Sequence, residues 1–285
     1  MTVAVAVKVF DGIVLAADSA STLSLPGGAS HVYNSANKIF HLHRGLPIGA
    51  MTWGLGNVGA ASISTLAKDL RRRLMGEDPS HRDWALDTDT YTVEGVAERL
   101  IEHFYDELYA VEFAGQAPSP TMTLGLLVAG YSGDARQAEA WLVQIDDPGK
   151  RPVPVLQAGQ DTSGWLAYAQ PEATSRLFNG MDGQMEALIN NHVADPARSA
   201  LHADAQANLR RNVAPPAMPF ADAIALAKFM VDVTVGYAHF CLGPDTVGGP
   251  VEVAGINRHE GFKWVERKHY YSARLNPEVG AHAND

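Results

Sequence analysis

The order of elements along this sequence predicts an α+β fold in which one sheet packs on another and helices lie outside. Strands, helices, strands, helices and strands follow in clusters, and the strict alternation of a doubly wound parallel sheet is missing. No internal repeat or linker divides the chain, so residues 1–285 read as one domain. At 285 residues, 46% hydrophobic and 19% charged, the chain is long enough to bury a sizeable core.

Residues 3–9 and 12–17 are β-rich and are separated by Asp11-Gly12, a dipeptide that tight hairpins favour because their central positions need positive φ. A Ser- and Gly-rich loop, residues 19–35, leads to strands at 38–43 and 46–53, the second stopping at Gly54. Over residues 60–75, Ile63, Leu66, Leu70 and Leu74 recur at helical spacing, with Arg71, Arg72 and Arg73 in the last turn and Gly76 as a stop. A second helix, residues 93–111, sets Val93, Val96, Leu100, Phe104, Leu108 and Val111 on one face. Strand patterns return at 121–131, 138–145 and 153–156, punctuated by Ser132-Gly133-Asp134 and Asp147-Pro148-Gly149. Helical patterns follow at 173–178, 184–193 and 220–242, and strands at 250–257 and 262–268 close the series. Residues 194–219, rich in Ala, Asn and Pro, read as an insertion or mobile excursion. A polar tail begins at about residue 272.

Charge and cysteine content narrow the function. Twenty-two basic against 32 acidic side chains give a net charge of −10, which argues against gripping nucleic acid or an anionic membrane by general electrostatics. Cys241 is the only cysteine, which excludes an intrachain disulfide framework and a Cys-rich zinc site and fits a reducing, cytoplasmic compartment. No charged-then-apolar leader opens the sequence. The apolar stretch 220–242 carries Asp222, Lys228, Asp232 and His239, costly in hydrocarbon, and reads as a core helix.

Several motifs invite chemistry and fail on context. Residues 54–59 match GxGxxG between a strand and a helix, but four strands precede them and the nearest suitable acid, Asp69, lies inside a helix, so a dinucleotide site is not expected. His41, His43 and His239 complete no metal-ligand spacing, and neither GxSxG nor HExxH occurs. No metal and no cofactor are expected. Thr2 stands apart: removal of Met1 leaves it with a hydroxyl and a free α-amine, a nucleophile and a base on one residue. An α-amine has an unperturbed pKa of about 7.7 to 8.0, so a modest depression makes it a proton acceptor at neutral pH.

Four short stretches surround that threonine in a recognisable order: Thr2-Val3-Ala4-Val5-Ala6-Val7-Lys8, Asp11 through Ser19, Asn37-Lys38-Ile39, and Met51-Thr52-Trp53-Gly54. Together they resemble the N-terminal half of proteasome β-type subunits of the Ntn-hydrolase superfamily, most like the bacterial homologues outside the 20S particle. The resemblance continues more weakly to residues 220–242 and to Asp245-Thr246-Val247-Gly248-Gly249. It implies a four-layer αββα sandwich of two antiparallel sheets flanked by helices.

It also implies a threonine-type peptidase that works through an acyl-enzyme ester. Thr2 would be the nucleophile, Lys38 the neighbouring ammonium, Asp18 its partner and Gly54 the oxyanion donor. Asp245 matches the family's late aspartate near the amine, whereas Gly248 stands where a serine is expected. The family's other serine lies in a Gly-Ser-Gly turn, for which Ser163 in Asp161-Thr162-Ser163-Gly164 is the choice and Thr162 the rival. Thr22, Ala36 and Thr52, beside Trp53, would line the first specificity pocket and favour a small or medium apolar side chain. Identical subunits would form a ring or stacked rings around unfolded peptide substrates, with any unfoldase partner unspecified. The departures at Gly248 and Ser163 also fit a ring subunit of low or no activity, and an amidase for a small-molecule amide is the remaining alternative.

Overall fold

A computed structural model describes residues 2–24, 30–242 and 247–268 of the chain. Its first half contains β1 (Ala4–Val9), β2 (Gly12–Ala17), β3 (Ser21–Ser24), β4 (Ser30–Tyr33), β5 (Ile39–His41), β6 (Ile48–Gly54), β7 (Asn57–Val58), β8 (Ala61–Ser62), α1 (Ile63–Leu74) and α2 (Val93–Ile101). A π-helical stretch, Glu102–Tyr109, continues α2 into α3 (Ala110–Glu112). The second half contains β9 (Leu124–Gly130), β10 (Glu139–Ile145), β11 (Val155–Ala158), β12 (Gly164–Tyr168), α4 (Glu172–Asn179), α5 (Gly183–His192), α6 (Ala197–Leu209), α7 (Phe220–Phe240), β13 (Glu252–Asn257) and β14 (Gly261–Glu266).

Two five-stranded sheets dominate, in the orders β12-β1-β2-β13-β14 and β11-β10-β9-β6-β5. Their pairings are antiparallel throughout. The Val/Ala alternation of the first strand explains how one sheet serves two neighbours. Val3, Val5, Val7 and Val9 point to one face, where they bury against Ala223, Ala227, Met230 and Val231 of α7 and Phe178 of α4. Ala4 and Ala6 point to the other face and meet Met51, Trp53, Leu127 and Ala129 of the second sheet. Small residues on that inner face leave room for the larger ones opposite. The outer face of the second sheet, with Phe40, Ile48, Leu126, Val128 and Val143, buries Leu66, Leu70 and Leu74 of α1 and Val96 and Leu100 of α2.

Local signals fix the helix starts. Ser62 caps α1 by accepting from Thr65 N at 3.2 Å, and Thr92 caps α2 by accepting from Gly95 N at 2.9 Å. By length and composition α7 could cross a bilayer. In this fold it lies along the first sheet, burying Ala223, Ala227, Met230, Val231 and Thr234.

The elements depart from the sequence reading in three places. The Ser/Gly-rich loop contains the β3–β4 hairpin, β12 occupies a stretch to which the sequence assigned no element, and half of the supposed insertion is helix α6. The GxGxxG run turns out to be a strand end followed by the β7–β8 hairpin, so no βα turn of the dinucleotide-binding kind is built there.

Candidate active site

The β1–β2 hairpin creates the site's floor. Because Ala4 pairs with Ala17, the residue after β2 comes beside the residue before β1. Val3 N accordingly donates to Asp18 Oδ1 at 3.1 Å, and Asp18 N donates to Val3 O at 3.3 Å. Asp18 is 0% exposed, and Ala20 N and Gly248 N donate to its Oδ2 at 3.1 and 3.0 Å. Lys38, immediately before β5, completes the set by donating from Nζ to Asp18 Oδ1 at 2.5 Å. A buried carboxylate with four donors is stable where an isolated one would be very costly.

Lys38 is 5% exposed, and its environment sets its proton affinity. Burial pushes its pKa down to about 8, against the raising influence of Asp18, while the Lys268 ammonium lowers it further and Glu252 raises it. The backbone of Lys38 is fixed as well, since its carbonyl accepts from Thr52 N at 2.9 Å.

Thr2, 5% exposed at the entry to β1, lines a cavity of about 410 Å³ together with Thr22, Ala36, Lys38, Thr52 and Gly54. Six of the positions singled out from sequence therefore share one enclosure, and Asp18 stands directly behind Lys38. Thr52 is oriented by its hydroxyl, which donates to Gly125 O at 3.0 Å. Trp53, at the cavity wall, stacks on Tyr168 with ring centroids 4.3 Å apart. Gly54 has φ of +88°, and a Cβ there would sit 2.1 Å from Thr123 O, so this turn of the wall admits only glycine.

Ser163 is not part of this constellation. It precedes β12, whose Gly164 pairs with Lys8 at the far end of β1, while Tyr168 pairs with Ala4 near Thr2. Six residues of extended chain separate Thr2 from Lys8, roughly 20 Å at about 3.3 Å per residue. The turn holding Ser163 and its rival Thr162 instead receives the Lys8 ammonium, through Gln160 O at 3.1 Å and Thr162 O. The end of β12 nearer Thr2 is Tyr168, a direction set by β-register that no short motif announces. Asp245 lies outside the described residues. Gly248, in place of the expected serine, offers Asp18 its N–H.

A second buried pair behind the site escaped the sequence reading. Lys268 Nζ donates to Ser19 Oγ at 2.6 Å and to Ala36 O, and stands 3.4 Å from Glu252 Oε2. Its signal was present: Glu252 is an acid in the otherwise apolar run Pro250-Val251-Glu252-Val253-Ala254. His41 stacks on Phe262 at 4.3 Å and its Nε2 lies 3.4 Å from Leu46 O, and among the described residues no three His, Cys, Asp or Glu side chains converge as metal ligands would.

The mixed α/β fold of antiparallel sheets, with Thr2 buried at a cavity, is proteasome-like in its fold. The particular solved structure it is similar to is Anbu (ancestral beta-subunit) from Yersinia bercovieri. The likeness covers 94% of this chain and 89% of that one, with a TM-score of 0.50 and 15% identity, and so concerns the fold alone. No protein-family model matches the chain, and no curated protein matches it.

Proposed function

We propose that the chain is an N-terminal threonine hydrolase of the proteasome β type, cleaving peptide bonds through an acyl-enzyme ester after Met1 is removed. The observation that carries this reading is the convergence of Thr2 with the buried Asp18–Lys38 pair on one cavity. The order of the three apolar clusters, helices on sheet, sheet on sheet, sheet on helices, supports a four-layer αββα Ntn sandwich.

In the reaction, Thr2 Oγ attacks the amide carbonyl carbon and its proton passes to the α-amine of the same residue. The Lys38 ammonium stabilises alkoxide character at Oγ and disfavours a second positive charge on the amine, while Asp18 keeps it charged and aimed. The C–N bond breaks as the departing nitrogen takes the proton, and water then hydrolyses the Thr2 ester. A donor at Gly54 would stabilise the oxyanion by about 2.7 to 4 kcal/mol. Thr22, Ala36 and Thr52 shape the pocket beside the scissile bond.

Self-assembly belongs to this reading. Phe229, Phe240 and Leu242 are exposed on or just after α7, with Leu177 on α4 and Met185 and Leu188 on α5, an apolar complement that a partner subunit would cover. The reading also places the protein in the cytoplasm, acting on unfolded peptide without metal or nucleotide. The distance of Ser163 and the glycine at 248 favour one second reading, a ring subunit of low or no activity.

Intact mass and adduct formation separate the two. Protein from its own host should lack Met1, and a threonine-directed electrophile should add once, at Thr2, and not to Thr2→Ala. Retained Met1, or an unlabelled Thr2 in the assembled protein, rejects the hydrolase.

A further inference from the structure

Beside the threonine cavity lies a second one of about 260 Å³, with which it shares Asn37, Ser64 and Lys68 as common wall. Four cations line it: Arg44 from the β5–β6 connection, Lys68 and Arg71 from α1, and Arg267 just beyond β14. None of the four belongs to an ion pair among the described residues, although the Glu77 carboxylate acts on Arg71 electrostatically. Arg267 lies over the Trp264 ring, 4.8 Å from its centroid. Among the described residues the acid on the wall is Glu252, which already has Lys268 3.4 Å away. Like charges gathered with so few counter-charges repel, and Arg71 registers this in part. Burial lowers its pKa first, then Arg44, with Glu77 opposing and Arg267 lowering it again. In a chain of net charge −10 such a grouping is a local inversion of the field.

We propose that this second cavity is an anion site that takes a carboxylate or phosphate group through Arg44, Lys68, Arg71 and Arg267. Guanidinium forks match both groups bidentately, and a lysine adds a point charge. Its volume exceeds what a few waters need, leaving room for an oxyanion with part of its hydration. Because the wall is shared, a peptide held at Thr2 could lay an acidic side chain in it, an extension that rests on the hydrolase reading. A free oxyanion would use the same donors without that reading.

The test is titration of inorganic phosphate into the full chain at constant ionic strength, followed by calorimetry. Saturable binding is expected. Arg71→Gln should weaken it about tenfold or more, as loss of a charge-assisted hydrogen bond implies. The paired exposed substitutions Arg44→Gln and Arg267→Gln should do the same, and they guard against a folding defect at half-buried Arg71. Arg82→Gln, outside the cavity, should leave binding unchanged. In a second arm, short peptides carrying Glu or Gln at matched positions compete with phosphate on the Thr2→Ala protein. Displacement by the Glu peptide alone identifies substrate as the source; displacement by neither leaves a free oxyanion as the ligand. Absent saturation, or affinity untouched by all three arginine substitutions, overturns the site. Since no arm needs turnover, an unlabelled Thr2 with intact phosphate binding would reject the hydrolase and keep the anion site.

Discussion

Asp18 and Lys38 differ from an ordinary surface ion pair because both are buried, so the charge on the lysine depends on its partner. In the proposed hydrolase the ammonium is the active form, and its pKa of about 8 makes the rate fall as pH rises through 8. Asp18→Asn removes the influence that opposes burial; the falling limb of the pH–rate profile should then move below 8, and it should stay in place if the pair is only structural. Lys38→Ala should lower kcat/KM by about 10² to 10⁴, measured on a fluorogenic peptide. Both residues came from the family resemblance of the stretches that hold them, and each flanks a short strand, Asp18 after β2 and Lys38 before β5. Ser163 was misplaced. A serine beside a glycine says nothing about which end of its strand meets Thr2, and the pairing of Gly164 with Lys8 decides it. Lys268 went unread because an isolated lysine after a strand has many surface counterparts, and only the fold brings it to Glu252.

Among the elements, β1, β2, α1 and α2 were readable because each buries a continuous or periodic apolar face. The hairpin β3–β4 was hidden by its polar composition, β12 by its shortness, and α6 by an Ala-rich, largely polar surface that buries no residue. This contrast sets stabilities apart. Leu70→Ala, in the α1 face fully buried against the second sheet, should cost about 2 to 5 kcal/mol by denaturant unfolding. Leu201→Ala, exposed on α6, should stay within about 0.5 kcal/mol. Gly54→Ala belongs with the first group, since both its φ of +88° and the approach of Thr123 O forbid a side chain.

For the molecule as a whole, acid is the weak direction. Burial holds the His41 pKa near 4, below the ordinary value of 6.5. Between those values the unfolded chain carries the extra proton, so stability should decline as pH drops from 6.5 toward 4. Melting scans across that window test it, and His41→Gln should flatten the slope. The exposed apolar residues make the matching prediction for assembly: sedimentation should show a species larger than one chain, and Phe240→Glu, at a side chain 87% exposed, should shift it toward the monomer.

The carboxylate of Asp18 joins parts of the polypeptide made at very different times. Its partners include Val3 near the beginning and Gly248 near the end, so a nascent chain still on the ribosome lacks a donor that the finished one has. The full donor set around the carboxylate behind Thr2 can therefore close only once residue 248 has joined the fold.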